Sequence, residues 1–180
     1  YINEQNKEIP IPDQNTFSEK LIDQLQYIEL DANEREIAEE IIWNTNERGY
    51  LDTDLVLIAD RYNLLEEEIE PILYKVQRLE PKGIGSRNLK ECLMIQLEDK
   101  KTSLPYIIMN KSFDDFMNKR YDKIKDRLKC TSRELHAAVE SISNLNPRPG
   151  EGYRDKFQTV IPDLIVREDG DDWVITTNDS

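Results

Sequence analysis

The residues that could carry out chemistry are few and scattered in this chain of 180 residues. His136 is the only histidine, and Cys92 and Cys130 are the only cysteines. This set has no Cys/His spacing suited to zinc, and one histidine cannot support a convincing Ser/His/Asp arrangement. Gly83-x-Gly85 is not a dinucleotide loop, because Asn88 occupies the third glycine position and no strand precedes it. We therefore predict a protein that is not an enzyme and that holds no cofactor or metal.

The charge pattern limits which partners the chain could bind. The net charge is −13, and it is unevenly spread: residues 1–80 carry −13, residues 81–160 carry +5, and residues 161–180 carry −5. The acidic first part would repel phosphates, so the chain is a poor general DNA binder. The mildly basic middle could face an acidic partner or a strand of nucleic acid.

Two breaks in the helical pattern organise the chain. The first follows Leu79, where Pro81 ends one helical pattern, Gly83 and Gly85 permit backbone angles closed to other residues, and Ser86 could cap the next helix. Leu89 and Leu93 then repeat at helical spacing. The second break contributes Pro147 and Gly150, with its Leu-x-Pro motif 66 residues after the first. We predict a structural role in these turns for the following residues: Leu79, Pro81, Gly83, Gly85, Ser86, Pro147 and Gly150.

The segments on both sides of the breaks are predicted to be helices. Thr16-x-x-Glu19, Asp31-x-x-Glu34 and Thr131-x-x-Glu134 have the form of capping boxes. A short helix, a turn at Asn63 and a longer helix ending near Leu79 outline a helix-turn-helix. With an offset of 66, the apolar positions of residues 38–81 coincide with those of the second half without a gap, which predicts two helical modules of one design.

The C-terminal part has a different composition. It is rich in Val, Ile, Thr and Trp on both sides of Asp169-Gly170, which predicts a β-hairpin. The predicted fold is thus mostly α, with two repeated helical subdomains built of helix-turn-helix-like units and a short C-terminal β-hairpin. The predicted domains are an acidic linker remnant, two subdomains, and the hairpin leading to a missing region: 1–16, 17–100, 101–150 and 151–180.

Cellular context follows from what the sequence lacks. No run is apolar and long enough to span a membrane, and no signal peptide is present. Two cysteines are too few for a disulfide framework, so a reducing cytoplasm fits. Because the first residue is Tyr1, we expect a piece of a longer protein.

The stretch LEPKGIGSRNLKECL at 79–93 strongly resembles the pattern Leu-x-Pro-x-Gly-Val/Ile-x-Ala-Arg-x-Leu-x-Glu-Cys-Leu of bacterial sigma-54 transcription factors. Ser86 stands where alanine is usual. Further similar stretches occur in the family's order and extend the resemblance over 17–178: Leu21-x-x-Gln-Leu25, Ile41-Ile42, Gly49-Tyr50-Leu51, Leu145–Gly150, and Ile161–Val166 followed by Trp173.

The resemblance implies a core-binding domain of two helical subdomains, which attaches the sigma factor to core RNA polymerase. The N-terminal region that receives an AAA+ activator and the regions that read promoter DNA would lie outside this chain, although the basic second half could approach DNA weakly. We expect polymerase contacts at Lys82, Arg87, Lys90 and Tyr50. Arg87 could equally pair with Glu91, and Tyr50 could pack in the core.

Two other functions stay open. The helix-turn-helix outline could belong to a DNA-binding repressor, but its second helix would begin with Glu66-Glu67-Glu68, which phosphates disfavour. A regulatory adaptor that has lost polymerase binding is not excluded by any residue.

Overall fold

The computed structural model describes the backbone of residues 14–151, 164–169 and 172–177, and the side chains of residues 17–151. Nine α-helices and two short 3-10 turns, Leu25–Tyr27 and Glu98–Lys100, occur in this described part. The helices are α1 Gln14–Gln24, α2 Ala32–Trp43, α3 Leu55–Arg61, α4 Glu66–Val76, α5 Leu89–Leu97, α6 Leu104–Lys111, α7 Phe113–Met117, α8 Tyr121–Leu128 and α9 Ser132–Ser143. Most of the predicted N-terminal linker lies outside the described residues, and positions 14–16 belong to α1.

The C-terminal end of the predicted fold needs a correction. Between Gln14 and Glu151, where the structure describes the packing, the regular elements are helical and no strand occurs, so a β-hairpin is not supported as part of this fold. Beyond it, two backbone segments, β1 Leu164–Asp169 and β2 Asp172–Thr177, run antiparallel. Residues such as Val, Ile and Thr favour a strand only when the strand has something to pack against. The composition of this region does not show whether such a packing partner exists. The mostly helical part of the prediction fits.

Two of the three predicted capping boxes are confirmed, whereas α1 begins at Gln14, before the predicted cap at Thr16. The Asp31 carboxylate accepts a hydrogen bond from the Glu34 backbone N–H at 2.8 Å, and the Glu34 carboxylate accepts one from the Asp31 N–H at 2.9 Å. Thr131 and Glu134 form the same pair at the start of α9. Each such cap satisfies two N–H groups that a helix start leaves free, and losing an N-cap side chain costs about 1 kcal/mol.

The 66-residue repeat is confirmed by the helix register. The first residues of α3 and α8 are 66 positions apart, and so are those of α4 and α9. The turns between the paired helices also match, since Asn63 and Lys129 both adopt left-handed backbone angles, with φ of 53° and 52°. Each module therefore contains one helix-turn-helix-like pair, α3–α4 in the first and α8–α9 in the second.

The buried apolar side chains form two clusters. The first is built by α1 to α4, and its fully buried large side chains are Leu21, Leu25, Ile37, Ile41, Ile42, Ile58, Ile69, Leu73 and Ile84. The second is built by α5 to α9 around Ile108, Met109 and Ile124. Helix α5 thus packs with the second cluster, whereas the predicted boundary at residue 100 assigns it to the first subdomain. That boundary stays a prediction.

Candidate functional site

Three loops meet between the two clusters, and we call their meeting point the loop junction: 44–51, 81–88 and 146–150. The Leu51 N–H donates to the Ser86 carbonyl at 2.9 Å, and the Gly85 N–H donates to the Gly49 carbonyl at 2.7 Å. The Gly150 N–H donates to the Arg48 carbonyl at 3.0 Å. The loop between α2 and α3 therefore contacts both Leu-x-Pro breaks of the chain.

The junction requires glycine at two positions that touch each other. Gly49 has a φ of +90°, a conformation that L side chains rarely adopt. A Cβ on Gly150 would lie 2.7 Å from the Glu47 carbonyl oxygen and equally close to the Gly49 Cα. Both obstacles are backbone atoms, which cannot rotate away. Close approach of the two loops is thus possible only without side chains there.

Two glutamines hold the residues that precede the prolines. The Gln24 carboxamide donates to the Glu80 carbonyl at 2.7 Å and accepts from the Glu80 N–H at 2.7 Å. Gln96 makes the same pair of bonds with Asn146, at 2.7 and 2.8 Å. Glu80 and Asn146 are 66 positions apart, so each module holds its Leu-x-Pro break with an equivalent glutamine clamp.

These glutamines were missed by the sequence reasoning, which assigned them no role. Gln24 does stand in the Leu21-x-x-Gln-Leu25 stretch, so a signal existed there. The partner backbone lies 56 residues away for Gln24 and 50 residues away for Gln96. Local patterns cannot identify such a contact.

Tyr50 links two loops of the junction that lie 97 positions apart in the sequence. Its hydroxyl donates to the Pro147 carbonyl at 2.5 Å, and the ring is partly buried. Burial raises the pKa of the Tyr50 phenol well above its usual value. Tyr50 is therefore engaged inside the molecule, and its predicted polymerase contact stays a prediction.

Arg87 has two acidic partners on the protein surface. Its guanidinium contacts Glu91 at 2.7 Å and Glu70 at 2.8 Å, and its side chain is 41% exposed. Burial acts to raise the pKa of the Glu91 carboxyl, but hydrogen bonds from the Arg87 side chain and backbone outweigh burial and hold that pKa below its usual value. Both alternatives for Arg87 stay open, because the ion pair forms and the side chain remains reachable.

The two lysines also have internal partners. Lys82 contacts Asp99 at 2.9 Å, and this carboxylate raises the pKa of the lysine ammonium. Lys90 donates to the Asn110 carbonyl at 3.3 Å, and its ammonium lies 5.9 Å from the centre of the Phe113 ring. Both side chains are partly exposed. Their proposed contact with a partner remains a prediction.

The predicted turn residues lie at or beside the loop junction, with one change of role. Gly83 and Gly85 have positive φ values, and Leu79 is 5% exposed. Ser86 does not cap α5: it is fully buried, and its hydroxyl donates to the Gly83 carbonyl at 2.7 Å. The cap is Asn88, whose side chain accepts from the Glu91 N–H at 2.9 Å. The helix therefore begins at Leu89, and its cap lies two residues later than predicted.

Neither cysteine belongs to a reactive site. Cys92 is fully buried beside the junction, and burial raises the pKa of its thiol to about 11. Cys130 is partly buried. Within the described residues, no group of three His, Cys, Asp or Glu side chains could hold a metal ion. The helices described include none with the length and apolar character needed to cross a bilayer.

The paired helix-turn-helix-like units and the junction that joins them define a helical domain of two related modules. The family model described as "Sigma-54 factor, core binding domain" matches residues 8–180. The chain belongs to this family.

Individual relatives agree with that assignment. An RNA polymerase sigma-54 factor of Pseudomonas putida is 33% identical over 168 residues, which cover 88% of this chain and 34% of the relative. One from Acidithiobacillus ferridurans is 37% identical over 143 residues, or 76% of this chain and 30% of the relative. The chain thus spans about a third of the length of these curated relatives.

A solved structure shares the fold. The crystal structure of Aquifex aeolicus sigmaN bound to promoter DNA superposes with a TM-score of 0.55 and 26% sequence identity. The match covers 89% of this chain and 46% of that chain.

Proposed function

We propose that this chain attaches a sigma-54-type transcription initiation factor to core RNA polymerase, for activator-dependent promoter opening. The observation that carries the proposal is the family match over residues 8–180, which includes every described helix. The chain acts as a binding module in the cytoplasm, performs no catalysis and needs no cofactor. Lys82, Arg87, Lys90 and Tyr50 are its proposed contacts.

Other steps of initiation belong to other parts of such a factor. We assign promoter recognition and contact with the AAA+ activator to regions that this chain does not contain, because it spans about a third of its relatives. The chain itself binds DNA only weakly, and it does so through the second module, where the net charge is positive. The Aquifex relative is itself described as bound to promoter DNA.

A sequence-specific repressor is the second candidate, since each module contains a helix-turn-helix-like pair. Charge argues against it in the first module, where α4 begins with Glu66, Glu67 and Glu68, all exposed. Three carboxylates facing phosphates are strongly unfavourable. Helix α9 begins with Ser132 and Arg133, so its N-terminal end repels DNA phosphates less than that of α4 does.

Co-elution with core RNA polymerase on a sizing column tests the proposal. We expect the 180-residue chain to co-elute, to be displaced by a full-length sigma-54 factor, and to leave promoter DNA unbound in a parallel run. Failure of the folded chain to co-elute would contradict the attachment role and favour an adaptor that has lost polymerase binding. Retention of DNA would favour the repressor.

A further inference from the structure

Helices α3 and α4 expose apolar side chains at their N-terminal ends. Val56 is 45% exposed and Leu65 is 67% exposed, while Leu55 and Ile58 are buried in the first cluster. Leu57, also on α3, is 51% exposed. Single exposed apolar residues are ordinary on protein surfaces, so exposure alone does not identify a binding site.

A cleft is lined by Val56 and by Glu66, the residue that follows Leu65 in the sequence. Its volume is about 260 Å³, and Val56, Leu51, Asp54, Glu66 and Arg87 are among the residues that line it. The cleft thus joins the start of α3, the start of α4 and the loop junction. We call this area the α3–α4 surface, defined by Val56, Leu57, Leu65, Asp54 and Glu66.

The charges around the cleft are negative in sum. Asp54 and Glu66 form no salt bridge within the part of the chain that the structure describes. The nearby cation, Arg87, is already balanced by Glu70 and Glu91. An apolar centre with unbalanced carboxylates at its edge is complementary to an apolar segment flanked by lysine or arginine, and it repels nucleic acid.

We propose that the α3–α4 surface docks a segment of core RNA polymerase that presents apolar side chains flanked by lysines or arginines. The inference rests on the proposed function and specifies which face performs it. Binding energy in protein interfaces concentrates in a few central side chains that become fully desolvated. Val56, which lines the cleft, and Leu65, which precedes the cleft residue Glu66, are exposed enough to become so. The carboxylates set the orientation and the rate of encounter.

Two substitutions can remove the apolar centre without harming the fold. Leu65 occupies the N-cap position of α4, where serine is preferred, so Leu65→Ser improves the helix start. Val56 lies in the first turn of α3, where a carboxylate is favourable toward the helix dipole, so Val56→Asp is tolerated. Met117→Ser is the matched control, since Met117 is 49% exposed and lies in the second module.

The test measures the Kd of core RNA polymerase for labelled variants of the 180-residue chain. We expect Val56→Asp/Leu65→Ser to bind at least about tenfold more weakly than the unsubstituted chain, with an unchanged or higher Tm, and Met117→Ser to bind within about twofold. Equal binding by the double variant, or equal loss with Met117→Ser, would overturn the assignment of this surface. If the unsubstituted chain itself does not bind, the proposed function fails and the inference fails with it.

A salt titration tests the charge part separately. Asp54→Asn/Glu66→Gln is expected to show a weaker dependence of Kd on salt concentration than the unsubstituted chain, because two carboxylates near the docked cations are removed. An unchanged salt dependence would overturn the claim that the docked segment carries lysine or arginine.

Discussion

Each glutamine clamp should stabilise the domain by an amount that can be worked out from its hydrogen bonds. Gln24 and Gln96 each make two bonds of 2.7–2.8 Å to the backbone of the residue before a proline. A typical bond contributes about 1 kcal/mol net, and partial exposure of Glu80 and Asn146 lets water replace some of that. Gln24→Ala and Gln96→Ala should therefore each lower the free energy of unfolding by about 1–2 kcal/mol. For a chain of this size, this corresponds to about 2–8 °C in Tm.

Urea unfolding followed by circular dichroism measures this loss, with scanning calorimetry as a second probe. Gln26→Ala is the matched control, because Gln26 is an exposed neighbour of Gln24 and should change the free energy by less than about 0.5 kcal/mol. Gln24→Glu should be at least as harmful as Gln24→Ala, since it places a carboxylate oxygen against the Glu80 carbonyl. If Gln24→Ala and Gln96→Ala unfold at the same urea concentration as the control, the clamps do not stabilise the fold and the reasoning is refuted.

Three further predictions concern the junction and its surroundings. Gly150→Ala should lower the free energy of unfolding by at least about 2 kcal/mol in urea unfolding, because its methyl group meets backbone atoms of the neighbouring loop; an unchanged midpoint would contradict the close approach. The lowered pKa of Glu91 contributes stability above its unfolded pKa, about 4.3, that is lost as pH falls through the folded value. Arg87→Met should therefore lower Tm at pH 6 by more than at pH 3, and an equal Tm difference at both pH values would refute the linkage. At pH 8, iodoacetamide should label Cys130 before the fully buried Cys92, as peptide mass spectrometry can show; faster labelling of Cys92 would indicate that the junction opens.

The internal pairing of the basic residues changes where a partner is expected to bind. The sequence draws attention to Lys82, Arg87 and Lys90, because cations beside a stiff turn are plausible contacts. In the structure each of them has a partner within the chain, and the unbalanced charges on the cleft are the carboxylates of Asp54 and Glu66. Since a partner must displace or share existing ion pairs to use the cations, the apolar and acidic α3–α4 surface is the less costly place to dock.

Local features could be predicted from the sequence because their causes lie within a few residues. Asp31 and Thr131 cap their helices through a glutamate three positions on, and Asn63 adopts the left-handed conformation in its own turn. The 66-residue repeat follows from apolar periodicity, which records the face that each helix buries. The family resemblance could be read from the residues themselves.

The functional geometry was decided by contacts between residues far apart in the chain. Tyr50 reaches Pro147 across 97 positions, and Gln24 reaches Glu80 across 56. Ser86 was expected to cap a helix, but tertiary packing buries it in the loop junction and leaves the cap to Asn88. Whether a side chain forms a local cap or turn depends on residues close to it in the sequence. Its long-range partner depends on which loops the two clusters bring together. The sequence therefore determined the elements and the family, and only the folded chain decided which side chains are already satisfied and which surface is left for a partner.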